Sequence, residues 1–298
     1  MAEVTKIDID GVQWDIKDQN ARDRINLLGD DLKIKAISES YKNPKNNIFR
    51  GKCLNGSTSN QYSILPFNNS QKINGGGYSI TEIIEKIANG NFNDIYIGDY
   101  IIDENNKIYR IAGLDTELNK GDSNLLSHHA VIIPDFSFTN IAWNKARTTV
   151  GGYQSSEAQA YCDKSVQPII ESIFGKNHIL TVRDLLSSAL NESATSPGYS
   201  GYTGATSAWE WSSHKVRLMS EVEVYGAKVW SGGHDIGSAC EQFPLFRLMP
   251  QLAVGMKYSY WLSGIANSAM ACVVWRFGAA DRTNVDGLRG IRPRFLIG

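Results

Sequence analysis

No stretch of this sequence reaches the ~20 consecutive apolar residues that a helix needs to cross a bilayer, so membrane insertion is not expected. A charge excess is missing too. The 30 Lys and Arg are matched by 31 Asp and Glu, a formal net charge of −1, with no long run of either sign. A surface that neutralises many phosphates needs a basic excess, so nucleic acid is not an expected partner. The opening MAEVTKIDIDG is charged where a secretory signal would be apolar, which makes synthesis in a cytoplasm the expectation. Cysteine is scarce: Cys53, Cys162, Cys240 and Cys272 lie far apart without CxxC spacing. Free thiols are expected in place of a disulfide framework or a zinc site.

The motifs of common chemistries are also absent. The Gly75-Gly76-Gly77 run is not followed by the lysine and Ser/Thr of a phosphate-cradling loop. There is no GxSxG, and the cysteines stand in no local nucleophile signature. No HxxxH or HExxH occurs. His128 and His129 are adjacent, in LSHHAVIIPD, and neighbours on a strand point to opposite faces. The pair is read as the structural lead-in to a buried strand. Glu221 and Glu223 would share one face of the alternating run SEVEVYG, with Val222 and Val224 behind them, and are read as a solvated outer surface. The expectation is no enzyme, no cofactor and no catalytic transition metal. Loop-bound calcium stays open, because Asp and Asn loop oxygens suit it.

What is present suits a loop-rich protein with aromatic surfaces more than a compact metabolic enzyme. The 298 residues are 42% hydrophobic and 10% aromatic, enough for one large core or two smaller ones. Asn and Gly are abundant, and Trp and Tyr crowd the second half. Val4, Ile7, Ile9, Val12, Trp14 and Ile16 flank the turn Asp10-Gly11, the pattern of a β-hairpin. Asp18 then caps a helix with Ala21, Ile25, Leu28 and Leu32 in an a/d seam. Such a seam, short and interrupted by Gly29, is marginal alone and predicts self-association, as a trimer, or docking on another protein. Residues 1–40 are thus an attachment or oligomerisation segment, and the Asn/Ser/Gly-rich residues 41–78 a linker or loop-dominated junction.

From residue 79 the pattern is α+β. SITEIIEKIANG is a helix with Ser79 as cap, Glu82 at capping-box spacing and Gly90 at its end. A second helix begins near Ser155, and TVRDLLSSAL reads as a third, capped by Thr181 with Asp184 three residues on. Strands are expected at DIYIGDYIID, KIYRIAGLD, HAVIIPD, VRLMSEVEVYGAKVW, FPLFRLMP, YSYWLSG, CVVWRFG and GIRPRFLIG. Trp261 and Phe295 are assigned to the core.

Two stretches carry a family resemblance. KIDIDGVQWDIKDQNARDRI resembles the DGVxYDIKDxxAR opening of tail and appendage proteins of phages that infect Gram-positive gut bacteria, with Trp14 in the tyrosine position. The closing RGIRPRFLI, with MSEVEVYG upstream and FNDIYIGDYI, HHAVIIPD and RTTVGGYQSSEAQAY before it, resembles over residues 79–298 a domain of gut phage and Firmicutes proteins. That domain has the C-type-lectin fold shared by formylglycine-generating enzymes and phage variable receptor-binding proteins. Ser263 stands where arginine is usual and Arg294 where alanine is usual.

The resemblance implies a homo-oligomeric virion protein: a tail or fibre appendage held to other virion proteins through residues 1–40, with a lectin-like domain for a host-surface glycan or protein. The expected receptor-binding residues, on loops 195–213 and 263–286, are Tyr199, Tyr202, Trp209, Trp211, Asn267, Arg282 and Asn284. Aromatics offer large contact area at low entropy cost there. Alternatives are a head fibre or capsid decoration protein without a defined receptor, and a formylglycine-generating enzyme with Cys240 and Cys272 as its copper pair.

Overall fold

The computed structural model describes residues 6–9, 12–15, 43–65, 71–123, 125–190, 206–231, 241–254 and 258–298. The chain divides into two units, Met1–Asn43 and Pro44–Gly298. In the first, β1 (Lys6–Ile9) and β2 (Val12–Asp15) pair antiparallel, Ile7 opposite Trp14 and Ile9 opposite Val12, as the Asp10-Gly11 turn signal predicts. The 21–25–28–32 seam lies outside the described residues.

The second unit begins at Pro44, inside the segment expected to be a linker or loop-dominated junction, and part of what is described of that segment packs on the sheet. The bridges Phe49–Ile97 and Cys53–Tyr100 lay it parallel to its neighbour, and Leu54 and Cys53 are fully buried. The Arg50 guanidinium donates to both carboxylate oxygens of the buried Asp99, at 3.1 and 2.6 Å. A short hairpin, β3 (Gln61–Ser63) with β4 (Lys72–Asn74), completes it.

Helix α1 (Ile80–Ala88) carries the expected capping box: Glu82 N–H donates to Ser79 Oγ, and Ser79 N–H to the Glu82 carboxylate. Ile83, Ile84 and Ile87 share its buried face, and Gly90, at φ +66°, ends it.

The first sheet has the order β11-β16-β7-β6-β5 and is antiparallel throughout. It is built from β5 (Tyr100–Ile102), β6 (Ile108–Leu114), β7 (Ala130–Pro134), β11 (Val216–Leu218) and β16 (Pro293–Ile297). Every residue of β7 and β16 is buried, which is why AVIIP reads as a continuous apolar run with no alternation. The second sheet has the order β14-β13-β12-β15-β8. Its strands are β8 (Asn140–Ile141), β12 (Tyr260–Asn267), β13 (Met270–Val274), β14 (Ala280–Asn284) and β15 (Arg289–Gly290). Trp261 and Phe295 are fully buried in the shared core.

After β8 in sequence run α2 (Glu157–Tyr161), capped by Ser156, a π-turn over Cys162–Val166, and α3 (Gln167–Phe174). Pro168 has no N–H to return to the preceding turn, and the ladder widens just ahead of it. The chain is therefore α+β. Three elements differ from the sequence reading. TVRDLLSSAL is a strand, β9 (Val182–Leu190), paired with β10 (Thr206–His214). The run after Met219 is a helix, α4 (Glu221–Tyr225), capped by Ser220 with Glu223 closing a second capping box. FPLFRLMP forms a helix, α5 (Pro244–Leu248), with proline in its first turn. Cys53 and Cys162 are buried free thiols, Cys272 is buried, and Cys240 lies outside the described residues.

Candidate functional site

Strand register brings five strands of the second sheet to a common end. Tyr260 of β12 lies opposite Val274 of β13, and Val274 opposite Ala280 of β14. Tyr260 also runs parallel beside Gly290 of β15, which faces Asn140 of β8. The residues at this end, Tyr258, Ser259, Trp275, Arg276, Leu288 and Arg289 together with Asn140, line a cavity of about 360 Å³.

The backbone around the cavity is tightly specified. Gly278 N–H donates to Trp275 O at 2.7 Å and Trp275 N–H to Ala279 O at 2.8 Å. This is a three-residue hairpin loop whose last position needs φ > 0, supplied by Gly278 at +86°. The Tyr225 hydroxyl of α4 donates to the Gly278 carbonyl at 3.0 Å. The loop thus holds Arg276 and Phe277 at its tip. At Gly290 an added Cβ would stand 2.3 Å from Ser137 Oγ, so only glycine lets β15 lie this close.

The rim is apolar and aromatic, the charges positive. Phe277, Tyr258 and Leu288 are 72%, 66% and 65% exposed. The Arg289 guanidinium lies 5.7 Å from the Trp275 ring centroid and that of Arg276 4.6 Å from the Phe277 ring, distances at which cation–π attraction acts. Among the described residues no carboxylate lines the cavity. Such a surface is suited to binding, with stacking area and hydrogen-bond donors on a rigid strand scaffold.

The structure separates the residues expected to bind. Asn267 and Asn284 both pair with Met270, at the opposite end of the sheet. Arg282 sits in mid-β14, 4.5 Å over the Trp230 ring. These three occupy strands, not loops. Trp211, 37% exposed, lies on β10 opposite Leu185, and Trp209 is on the same strand. Tyr199 and Tyr202 lie outside the described residues. The sequence reading missed Tyr258, Trp275, Arg276, Phe277, Leu288 and Arg289. The usable signal was WRFG itself: aromatic and cationic residues directly before a turn glycine.

The other chemistry-bearing groups are enclosed. Glu221 and Glu223 are fully buried, so the solvated-surface reading is corrected. Glu221 accepts backbone N–H bonds from Val229, Trp230 and Ser231 at 2.8–3.0 Å. Glu223 takes Arg217 on both oxygens, at 3.0 and 2.6 Å, while Arg217 Nε donates to Asp184 at 2.6 Å. Arg294, in the position where alanine was expected, adds a second buried cation. It lies 3.3 Å from both Asp184 and Glu223 and 3.7 Å from Glu117. Desolvation pushes the Glu117 carboxyl above the usual range, against the pull of the Arg294 charge. Closed to solvent, the cluster ties β9, β11, α4 and β16 together.

His128 and His129 lie just before β7, not in it, and both stand against the Asp115 carboxylate, so strand alternation does not separate them. His128 Nδ1 is 2.8 Å from Asp115 Oδ2 on a half-exposed edge. The His129 ring is buried, its Nδ1 2.9 Å from Ser127 O, while its Nε2 accepts from Glu117 N–H at 3.0 Å. Burial pushes its pKa down to about 4 and keeps it neutral. Among the described residues no three His, Cys, Asp or Glu side chains gather to hold a metal ion. No known protein family, curated protein or solved structure matches the chain.

Proposed function

We propose that this protein is a phage virion component, a tail or fibre appendage, whose second unit binds the host surface through the Trp275 end of its second sheet. The carrying observation is the exposed pair Tyr258 and Leu288 lining a cavity with Trp275, Arg276 and Arg289, with the exposed Phe277 next to Arg276 in the chain. Large apolar side chains standing clear on a tightly bonded backbone are costly to display unless a partner covers them. The hairpin Lys6–Asp15 and the sequence pattern around it support attachment to other virion proteins through residues 1–40. On this reading the protein is not an enzyme.

The test is adsorption of particles carrying variants. Tyr258→Ala with Trp275→Ala should lower adsorption more than tenfold, since an exposed aromatic hot spot is worth ~2 kcal/mol or more, with the melting temperature held. Asn267→Ala with Asn284→Ala, at the far end, should leave adsorption unchanged. Trp261→Ala, in the core, should instead lower stability by ~3–5 kcal/mol. Normal adsorption by the Tyr258/Trp275 variant would turn the reading toward a head fibre or decoration protein.

A further inference from the structure

We infer that the cavity at the Trp275 end takes an anionic saccharide, a sugar ring bearing a carboxylate or a phosphate. The inference rests on the proposed reading of this face as a receptor-binding surface, and it names the ligand class.

The half-buried Trp275 indole offers a flat wall, and aromatic faces take the C–H face of a ring well. Beside it stand two guanidiniums, Arg276 and Arg289, each able to present paired N–H groups to an oxyanion. Arg289 is pre-positioned: its Nη1 donates to Leu288 O at 2.6 Å, its Nη2 reaches Thr283 Oγ1 at 3.5 Å, and its guanidinium carbon lies 5.7 Å from the Trp275 ring centroid. Its Nε is enclosed without a hydrogen-bond partner. Among the described residues neither arginine is ion-paired with a carboxylate, and no Asp or Glu lines the cavity. Two arginines without a carboxylate partner among the described residues therefore line one cavity, in a chain whose formal net charge is −1.

Asn140 and Ser259 add neutral hydrogen-bonding groups for hydroxyls. At about 360 Å³ the cavity is at the low end of the ~300–1,000 Å³ of small-ligand sites, which fits one or two rings. A neutral sugar would leave the arginine donors unused, and a free inorganic anion would leave the indole wall uncovered. Only a ligand with both features uses the whole surface.

The test titrates the full chain at low salt, where exposed charge interactions are least screened. The probes are methyl glucuronide, glucose 6-phosphate, methyl glucoside and inorganic phosphate, followed by tryptophan fluorescence and saturation-transfer NMR. At least one charged sugar should bind ten or more times tighter than both methyl glucoside and phosphate. Which one it is separates a carboxylated from a phosphorylated source. Arg276→Met and Arg289→Met should each weaken that binding about tenfold without moving the melting temperature, and Trp275→Ala should abolish it. Equal binding of charged and neutral sugars overturns the anionic assignment. Inorganic phosphate matching glucose 6-phosphate overturns the saccharide part, and silence with all four probes overturns both. Host adsorption by Trp275→Ala then tells the two readings apart: its loss keeps the receptor face and discards only this ligand, while its retention discards the face as well.

Discussion

At the scale of single residues, the enclosed groups are the ones whose chemistry burial has changed most. His129 and His214 are both pushed down to about 4 from an ordinary 6.5, by desolvation first of all. The unfolded chain then binds more protons than the folded one between those values, so stability is full above pH 6.5 and falls as the pH drops toward 4. Each histidine adds up to ~1.4 kcal/mol per pH unit across that window. Glu117 works the other way, since its raised carboxyl favours the proton in the folded state. The net expectation is loss of stability on acidification from pH 6.5, read as a falling urea midpoint. His129→Gln, whose amide oxygen can take the Glu117 N–H, should flatten that slope; an unchanged slope would mean His129 does not titrate there. His129 was legible as structural because no HxxxH or HExxH spacing surrounds it and the apolar run AVIIP follows it directly. Its acceptor role for Glu117 was not, because that partner, twelve residues earlier, is fixed only by the turn at Asp115.

At the scale of elements, the same local signal gave opposite results at different places. Ser79-x-x-Glu82 announces α1, and the apolar spacing behind it agrees. Ser220-x-x-Glu223 is the same pattern, but Val222 and Val224 alternate around it and suggest a strand. The helix forms because Glu223 satisfies the Ser220 N–H and Arg217 at once, which alternation cannot report. Thr181 to Asp184 imitates a cap, yet β9 is extended: Val182, Asp184 and Leu186 are buried in turn, and Asp184 is committed to Arg217 and Arg294. Tertiary ion pairs overrode local propensity in both cases. Glu221 shows what α4 holds in place, since its carboxylate gathers the N–H groups of residues 229–231 and so seats Trp230 beneath Arg282. Glu221→Ala should cost ~3 kcal/mol, since each stranded donor costs ~1–3 kcal/mol where it is buried. Glu221→Gln, retaining one acceptor, should cost less. Urea midpoints, with hydrogen exchange at residues 229–231, check both, and wild-type exchange in the alanine variant would refute the role.

At the scale of the whole molecule, what matters is where the second unit begins. Composition suggested that folded structure starts at residue 79, because Asn, Ser and Gly dominate before it. Composition does not record that a polar stretch can lie along a sheet edge and leave a few side chains in the core. Phe49 and Cys53 bridge to Ile97 and Tyr100, Leu54 is fully buried, and Arg50 is the cation facing Asp99, whose side chain has no solvent exposure. Starting the chain at 79 removes all four and leaves a buried carboxylate without its partner, which costs ~3–5 kcal/mol by itself. Losing the Leu54 side chain adds a cavity term of ~2–5 kcal/mol. The sum is comparable with the whole stability of an ordinary domain, ~5–15 kcal/mol. A chain beginning at Pro44, where the second unit begins, loses none of this. The 44–298 fragment should therefore melt cooperatively close to the full-length protein, while 79–298 should be unfolded or should melt far lower by circular dichroism. Light scattering of full-length protein and of 44–298 completes the comparison: if residues 1–40 carry the oligomer, the first is a trimer and the second a monomer. A trimer in both would place assembly in the second unit, and a cooperative, unshifted 79–298 would show that the polar segment is a linker after all.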